Sequence, residues 1–291
     1  MAWQNQLITL YLTVCEHYQN GLWASVQRFS PYSDLSFSDE EVITLYLFGI
    51  MGKQRDIKSI YTQAQRYLGD WFPKLPSYTA YVQRLNRLAA CFPALFESFC
   101  PAQAPMNIAG LVDSFPIVMA QRSRRYRAKV APEYASCGYC SSKQLHYYGV
   151  KLHLIGDHRA NTLPLPRYAG LTDAATHDAP AFEQVMHHLP YREIYADMAY
   201  EHFSRYPDLP FTLLSPVKKQ KGQEFHDAAD DWLSRAVSSV RQPIESLFNW
   251  IEQKTGIQCA SKVRSSNGLL VHVFGRLAAA MCMLNILPLC S

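Results

Sequence analysis

Little in this chain marks it for disorder, secretion or a disulfide framework. Only 18% of its 291 residues are charged and 48% are hydrophobic, which excludes the polar, self-repelling composition of a disordered chain. A net charge of +4 is too small to imply an anionic partner by itself. The opening MAWQNQ has neither a basic n-region nor an apolar h-region, so no secretory signal is expected. The eight cysteines are scattered, and reduced cytoplasmic thiols follow. Cys137 and Cys140 form the one C-x-x-C, whereas a structural zinc site needs four ligands, and nothing arranges a histidine base beside either thiol. Repeats, low-complexity segments and coiled-coil heptads are all missing. The apolar stretch 268–290 is interrupted by His272, Arg276 and Asn285, which favours a buried helix over a membrane span.

What is there divides at PAQAP (101–105), where two prolines flank small residues. Before it the pattern is helical. Leu7, Leu10, Tyr11, Val14, Cys15 and Tyr18 share one helix face, and Ser38 with Glu41 forms a capping box ahead of VITLYLFGI, an all-round apolar helix expected to be central. Ile57, Ile60, Tyr61, Ala64 and Leu68 make a further stripe. Beyond the linker the period changes. Strands are expected over 106–120, 147–157, 162–172, 193–197 and 210–217, with a helix at 179–189 capped by Asp178, and helices again from about 228. An all-helical domain, 1–104, thus precedes a mixed α/β domain, 105–291.

Three acids stand out. Asp113 and Asp197 each close an apolar, strand-like run, and Glu245 lies in a helical segment. Acids on strand ends, with a third on a later helix, can converge on one sheet edge. Carboxylates held together raise one another's pKa unless a cation joins them, and Mg²⁺ takes oxygen ligands of this kind. Asp157, Asp173 and Asp178 read as turn or cap residues. Of the basic residues, RSRRYRAK places Arg122, Arg124, Arg125, Arg127 and Lys129 in eight positions without an acid, which favours a phosphate track. Lys143, Lys151 and the lysines at 218, 219 and 221 are weaker candidates. The polar face of 77–90, with Arg84 and Arg87, is either a recognition helix or a solvated surface.

Five motifs in order, LVDSFPI, GYCSSKQLHYYGVKLHLIGD, LTDAATHDAPAF, IYADMAYEH and RQPIESLFNWIE, resemble the DDE transposases of bacterial insertion sequences over most of 105–285. The resemblance implies a ribonuclease H-like catalytic core behind a helical, helix-turn-helix-like DNA-binding domain. It implies that Asp113, Asp197 and Glu245 hold two Mg²⁺ ions, with Mn²⁺ able to substitute, and that Asp113 bridges them. Arg241 matches an arginine that contacts DNA backbone near the site. Seven residues after the third acid, where many relatives carry a lysine that holds the DNA ends, this chain has Glu252; Lys254, or Lys262 and Arg264, could supply the cation. The expected activity is Mg²⁺-dependent phosphodiester hydrolysis and strand transfer at the element's inverted-repeat ends, on double-stranded element and target DNA. A homodimer or larger assembly and a cytoplasmic, nucleoid-associated setting go with it. Two other readings stay open: a related nuclease without strand transfer, and an inactive DNA-binding copy.

Overall fold

The computed structural model describes residues 3–26, 35–100, 109–205, 209–217 and 227–286, with the single positions 223 and 225. The expected linker at 101–105 and Lys218, Lys219 and Lys221 lie outside the described residues. The chain forms two compact units, one of Met1–Cys100 with Ile251–Ser291 and the other of Pro101–Trp250. Residues 251–291, grouped by sequence with the α/β part, therefore pack with the N-terminal helices.

Five helices begin the first unit: α1 (Trp3–Gln19), α2 (Asp39–Met51), α3 (Ile57–Tyr67), α4 (Tyr78–Arg87) and α5 (Cys91–Phe99). The capping box expected at α2 is present, with Ser38 Oγ accepting from the Glu41 N–H and the Glu41 carboxylate from the Ser38 N–H. Residues 42–47, 49 and 50 of α2 are buried, as an all-round apolar helix requires. Gly49 lets α3 approach, since a Cβ there would lie 2.6 Å from Ile60.

The second unit is a six-stranded mixed sheet with helices. Its strands are β1 (Gly110–Gln121), β2 (Ser136–Cys140), β3 (Leu145–Asp157), β4 (Leu165–Asp173), β5 (Glu193–Tyr195) and β6 (Thr212–Leu214). Helix α6 (Asp178–Glu183) lies between β4 and β5, and α7 (Ala228–Thr255) follows β6. Strand β3 pairs antiparallel with β1 on one side and with β2 and β4 on the other. On its far side β1 runs parallel to β5, and β5 parallel to β6. This order, antiparallel then parallel around a central β1, is consistent with a ribonuclease H-like core.

Four local expectations need correction. Asp113 does not close its strand, because β1 continues through Pro116 to Gln121. Pro116 is tolerated since β1 pairs with β5 only at Gly110 and Leu111. The expected helix 179–189 stops at Glu183 and resumes as a 3-10 turn at Met186–His188. Its N-cap is His177, and the Asp178 carboxylate instead accepts from Lys151. Strand β2, over SCGYC, was not expected; its positions alternate half-buried and exposed without a continuous buried run.

In the first unit, α8 (Ser266–Met281) continues as a π-turn to Ile286. The span Ser266–Ile286 is long and apolar enough to cross a membrane, yet 78% of its most apolar 18-residue stretch is buried within the protein. Its interrupting residues are satisfied internally. His272 Nε2 lies 2.8 Å from the Ile257 carbonyl, and Arg276 donates to the carbonyls of Thr255 and Arg55.

Candidate active site

Strand alternation puts Leu111, Asp113, Phe115 and Ile117 on one face of β1. Phe115 packs on Phe248 of α7 with ring centroids 4.4 Å apart, which fixes α7 over this face. One helical row, Arg241, Glu245 and Phe248, is thereby turned towards the strand. The parallel register Leu111↔Tyr195, extended by two places, brings Asp197, just past β5, level with Asp113. Asp197 is half-buried and opens the 3-10 turn Met198–Arg205, its Oδ1 accepting from the Met198 N–H at 2.7 Å.

Arg241 joins the acids. Its Nη1 donates to Asp113 Oδ2 at 2.7 Å and its Nη2 to Glu245 Oε1 at 2.5 Å. The Arg241 and Asp113 side chains are only 16% and 20% exposed, whereas Glu245 is 52% exposed, so the cluster has one dry and one wet side. Burial pushes Asp113 up to about 6, and Asp197 and Glu245 add to the rise. Arg241 and the Ser114 N–H oppose it without prevailing, although the ion pair is short. Burial alone would weaken the Arg241 charge, but Asp113, Glu245 and Asp197 outweigh it and raise its pKa. The three acids and the arginine therefore share one electrostatic neighbourhood.

The donor set fits a hard divalent cation: carboxylate oxygens, with a guanidinium already standing as the cation between two of them. Among the described residues no three acid, His or Cys side chains close on one point as ligands. Arg241 instead bridges two of the three acids. Sequence reasoning missed Tyr200, whose hydroxyl is buried without a hydrogen-bond partner among the described residues. Burial first, then Asp178, Asp113 and Asp197, raise its pKa well above normal. Nothing in the spacing of IYADMAYE distinguishes it from a core tyrosine.

The other singled-out residues fall in several places. Arg122, Arg124, Arg127 and Lys129 are exposed and Arg125 is half-buried over the Tyr126 ring, in and just after a 3-10 turn at the far end of β1. Arg122 lies nine positions along from Asp113, roughly 30 Å of extended strand, so this run is not beside the acids. Lys151 is committed to the Thr176 carbonyl at 2.6 Å and to Asp178 at 2.9 Å. Arg84 pairs with Asp39 at 2.9 Å and lies over Phe37, which takes it off the polar face of α4; Arg87 remains exposed. Lys254 is half-buried near the end of α7. Glu252, where a lysine was expected, accepts the Gln258 N–H at 2.8 Å and so holds the turn that follows. Cys137 and Cys140 are free thiols.

No curated protein and no solved structure matches the chain. A sequence model of the family described as Transposase DDE domain matches residues 105–282, which contain every strand and all three acids. With an acid on a central strand, a second just past the end of its parallel neighbour and a third on the packed helix, the chain belongs to the DDE transposase domain family, whose members cut and join DNA.

Proposed function

We propose that the protein binds the ends of its own mobile element, cleaves them by Mg²⁺-dependent hydrolysis at Asp113, Asp197 and Glu245, and joins the freed 3′-hydroxyls to target DNA. The observation that carries this reading is the bridge from Asp113 through Arg241 to Glu245, with Asp197 in register beside them. Two bound metal ions would activate the attacking water or 3′-hydroxyl and stabilise charge on the leaving oxygen. The protein's part is positioning. β1 carries one carboxylate and the end of β5 positions a second, while α7 presents the third on its wetter side. Arg241 balances Asp113 and Glu245 in the free protein. On loading it releases at least one of them, and its planar fork is then available to a phosphate of the DNA. The run Arg122–Lys129, roughly 30 Å along the strand, grips the backbone about nine phosphates away rather than at the scissile bond.

The test is a strand-transfer assay with duplexes carrying the inverted repeats that flank the coding region. Wild-type protein with Mg²⁺ yields cleaved 3′-hydroxyl ends and joined product. Asp113→Ala, Asp197→Ala and Glu245→Ala yield neither while still binding the duplex. Cleavage without joining would leave a nuclease, and activity in any of the three variants overturns the site. In the same assay, neutralising Arg124, Arg125 and Arg127 weakens binding and flattens its log–log salt slope by about 2.7. An unchanged slope removes that run from the interface.

A further inference from the structure

Within the helical unit, α3 lines an open polar groove of about 530 Å³ whose far wall includes Lys262. We infer that this groove, rather than the polar face of α4, docks the phosphate backbone of duplex DNA. The inference rests on the DNA substrate proposed above but concerns a separate surface.

Helix α3 buries Ile60 and Ala64 and turns Lys58, Thr62 and Arg66 outward in one row spaced by four. From residue 57 to 69 there is no carboxylate. The one acid on the groove, Asp56, is already used: it caps α3 through the Ser59 N–H at 3.0 Å and pairs with Lys262 at 2.8 Å. That pair draws Asp56 below its ordinary range, and it holds Lys262, itself 73% exposed, on the rim. Lys58 and Arg66 are exposed and have no ion-pair partner among the described residues. Their Cα atoms stand about 12 Å apart along the helix, roughly the width of the B-DNA major groove, so the two cations can meet phosphates of both strands. Tyr67, 72% exposed, adds a hydroxyl donor at the same end. By contrast, α4 has lost Arg84 to Asp39 and offers only Arg87.

The experiment titrates the full-length protein into a fluorescently labelled duplex carrying the flanking inverted repeat, over a range of salt. Lys58→Ala with Arg66→Ala weakens binding about tenfold and reduces the log–log salt slope by about 1.8. Arg87→Ala stays near wild type. The charge-preserving pair Lys58→Arg with Arg66→Lys restores binding, which separates loss of contact from loss of fold. Wild-type affinity and slope in the double alanine variant overturn the inference, as does a larger loss from Arg87→Ala. A wild-type protein that binds no duplex brings down this inference and the proposed function together, whereas the first two results leave that function standing.

Discussion

Two aspartates on neighbouring central strands meet arginines in opposite ways. Asp157 on β3 pairs in register with Gly110 of β1, three positions before Asp113, and faces the other side of the sheet. It is 2% exposed and receives Arg167 Nε at 2.8 and 3.1 Å, Arg167 Nη2, and the Tyr191 hydroxyl at 2.7 Å. Its arginine comes from the adjacent strand β4, and its tyrosine partner belongs to the apolar cluster that includes Phe182, Met186, Ile194 and Leu213. Asp113 shares a single arginine with Glu245, and that arginine comes from a helix with a wet side. One carboxylate is saturated and closed. The other is held at about 6 by burial, with one arginine and one backbone N–H as its partners.

The largest test of this contrast swaps each acid for its amide. Asp157→Asn leaves a buried Arg167 without its counter-charge and is expected to destabilise the protein by about 3–5 kcal/mol. Asp113→Asn removes a charge that burial already disfavours, so at neutral pH its unfolding midpoint is expected at or above that of the wild type while DNA cleavage is lost. Equal unfolding midpoints for the two variants would erase the distinction.

The arginines extend it with a smaller effect. Arg167→Gln is expected to unfold at markedly lower temperature whatever the metal content. Arg241→Gln frees the acids of their internal cation, so its unfolding midpoint rises more on adding Mg²⁺ than that of the wild type. An Mg²⁺ response no larger than wild type would mean that Arg241 does not compete for the site.

How far the sequence carried this depends on what each residue touches. The capping box at Ser38, the central α2 and the buried C-terminal helix follow from spacing, because local hydrogen bonds and periodic burial decide them. The three acids were singled out through motif order. Arg241's place between them was not legible, since it depends on how α7 lies over β1, a contact 128 residues apart. Arg84 and Lys151 looked like free cations until Asp39 and Asp178, distant in sequence, proved to hold them. The expected strand 106–120 ran past Pro116, as β1 does, but the place of Asp113 within it rather than at its end was not legible. The packing of residues 251–291 with the first hundred is tertiary and leaves no periodic trace.

Titration gives a third, smaller contrast. Asp113 keeps its proton to about 6 when folded, against 3.8 ordinarily, so between these values the folded state binds more protons than the unfolded one. Stability then falls as pH rises from about 4 to 6, by up to about 3 kcal/mol, and stays lower above that. His153, driven by burial down to about 4, acts oppositely in the same range, because there the unfolded state takes the proton. The clean measurement is the difference between wild type and Asp113→Asn in unfolding free energy against pH. It is expected to slope downwards through 4–6 and to flatten when Mg²⁺ is present. A flat difference without metal would place Asp113 in an ordinary solvated setting.

The smallest effect separates the two tyrosines beside these acids. The Tyr191 hydroxyl completes the shell of Asp157, and Tyr191→Phe is expected to cost about 1.5–3 kcal/mol, the range for a hydrogen bond to a charged group. The Tyr200 hydroxyl is equally buried but donates to nothing among the described residues, so Tyr200→Phe removes an unsatisfied group and leaves stability equal or slightly higher. If Tyr200→Phe nonetheless slows cleavage at unchanged DNA affinity, the hydroxyl serves the acids once DNA is in place. Destabilisation of both variants by the same amount would show that Tyr200 already has a partner in the free protein, and the open character of the Asp113 side would not extend to it.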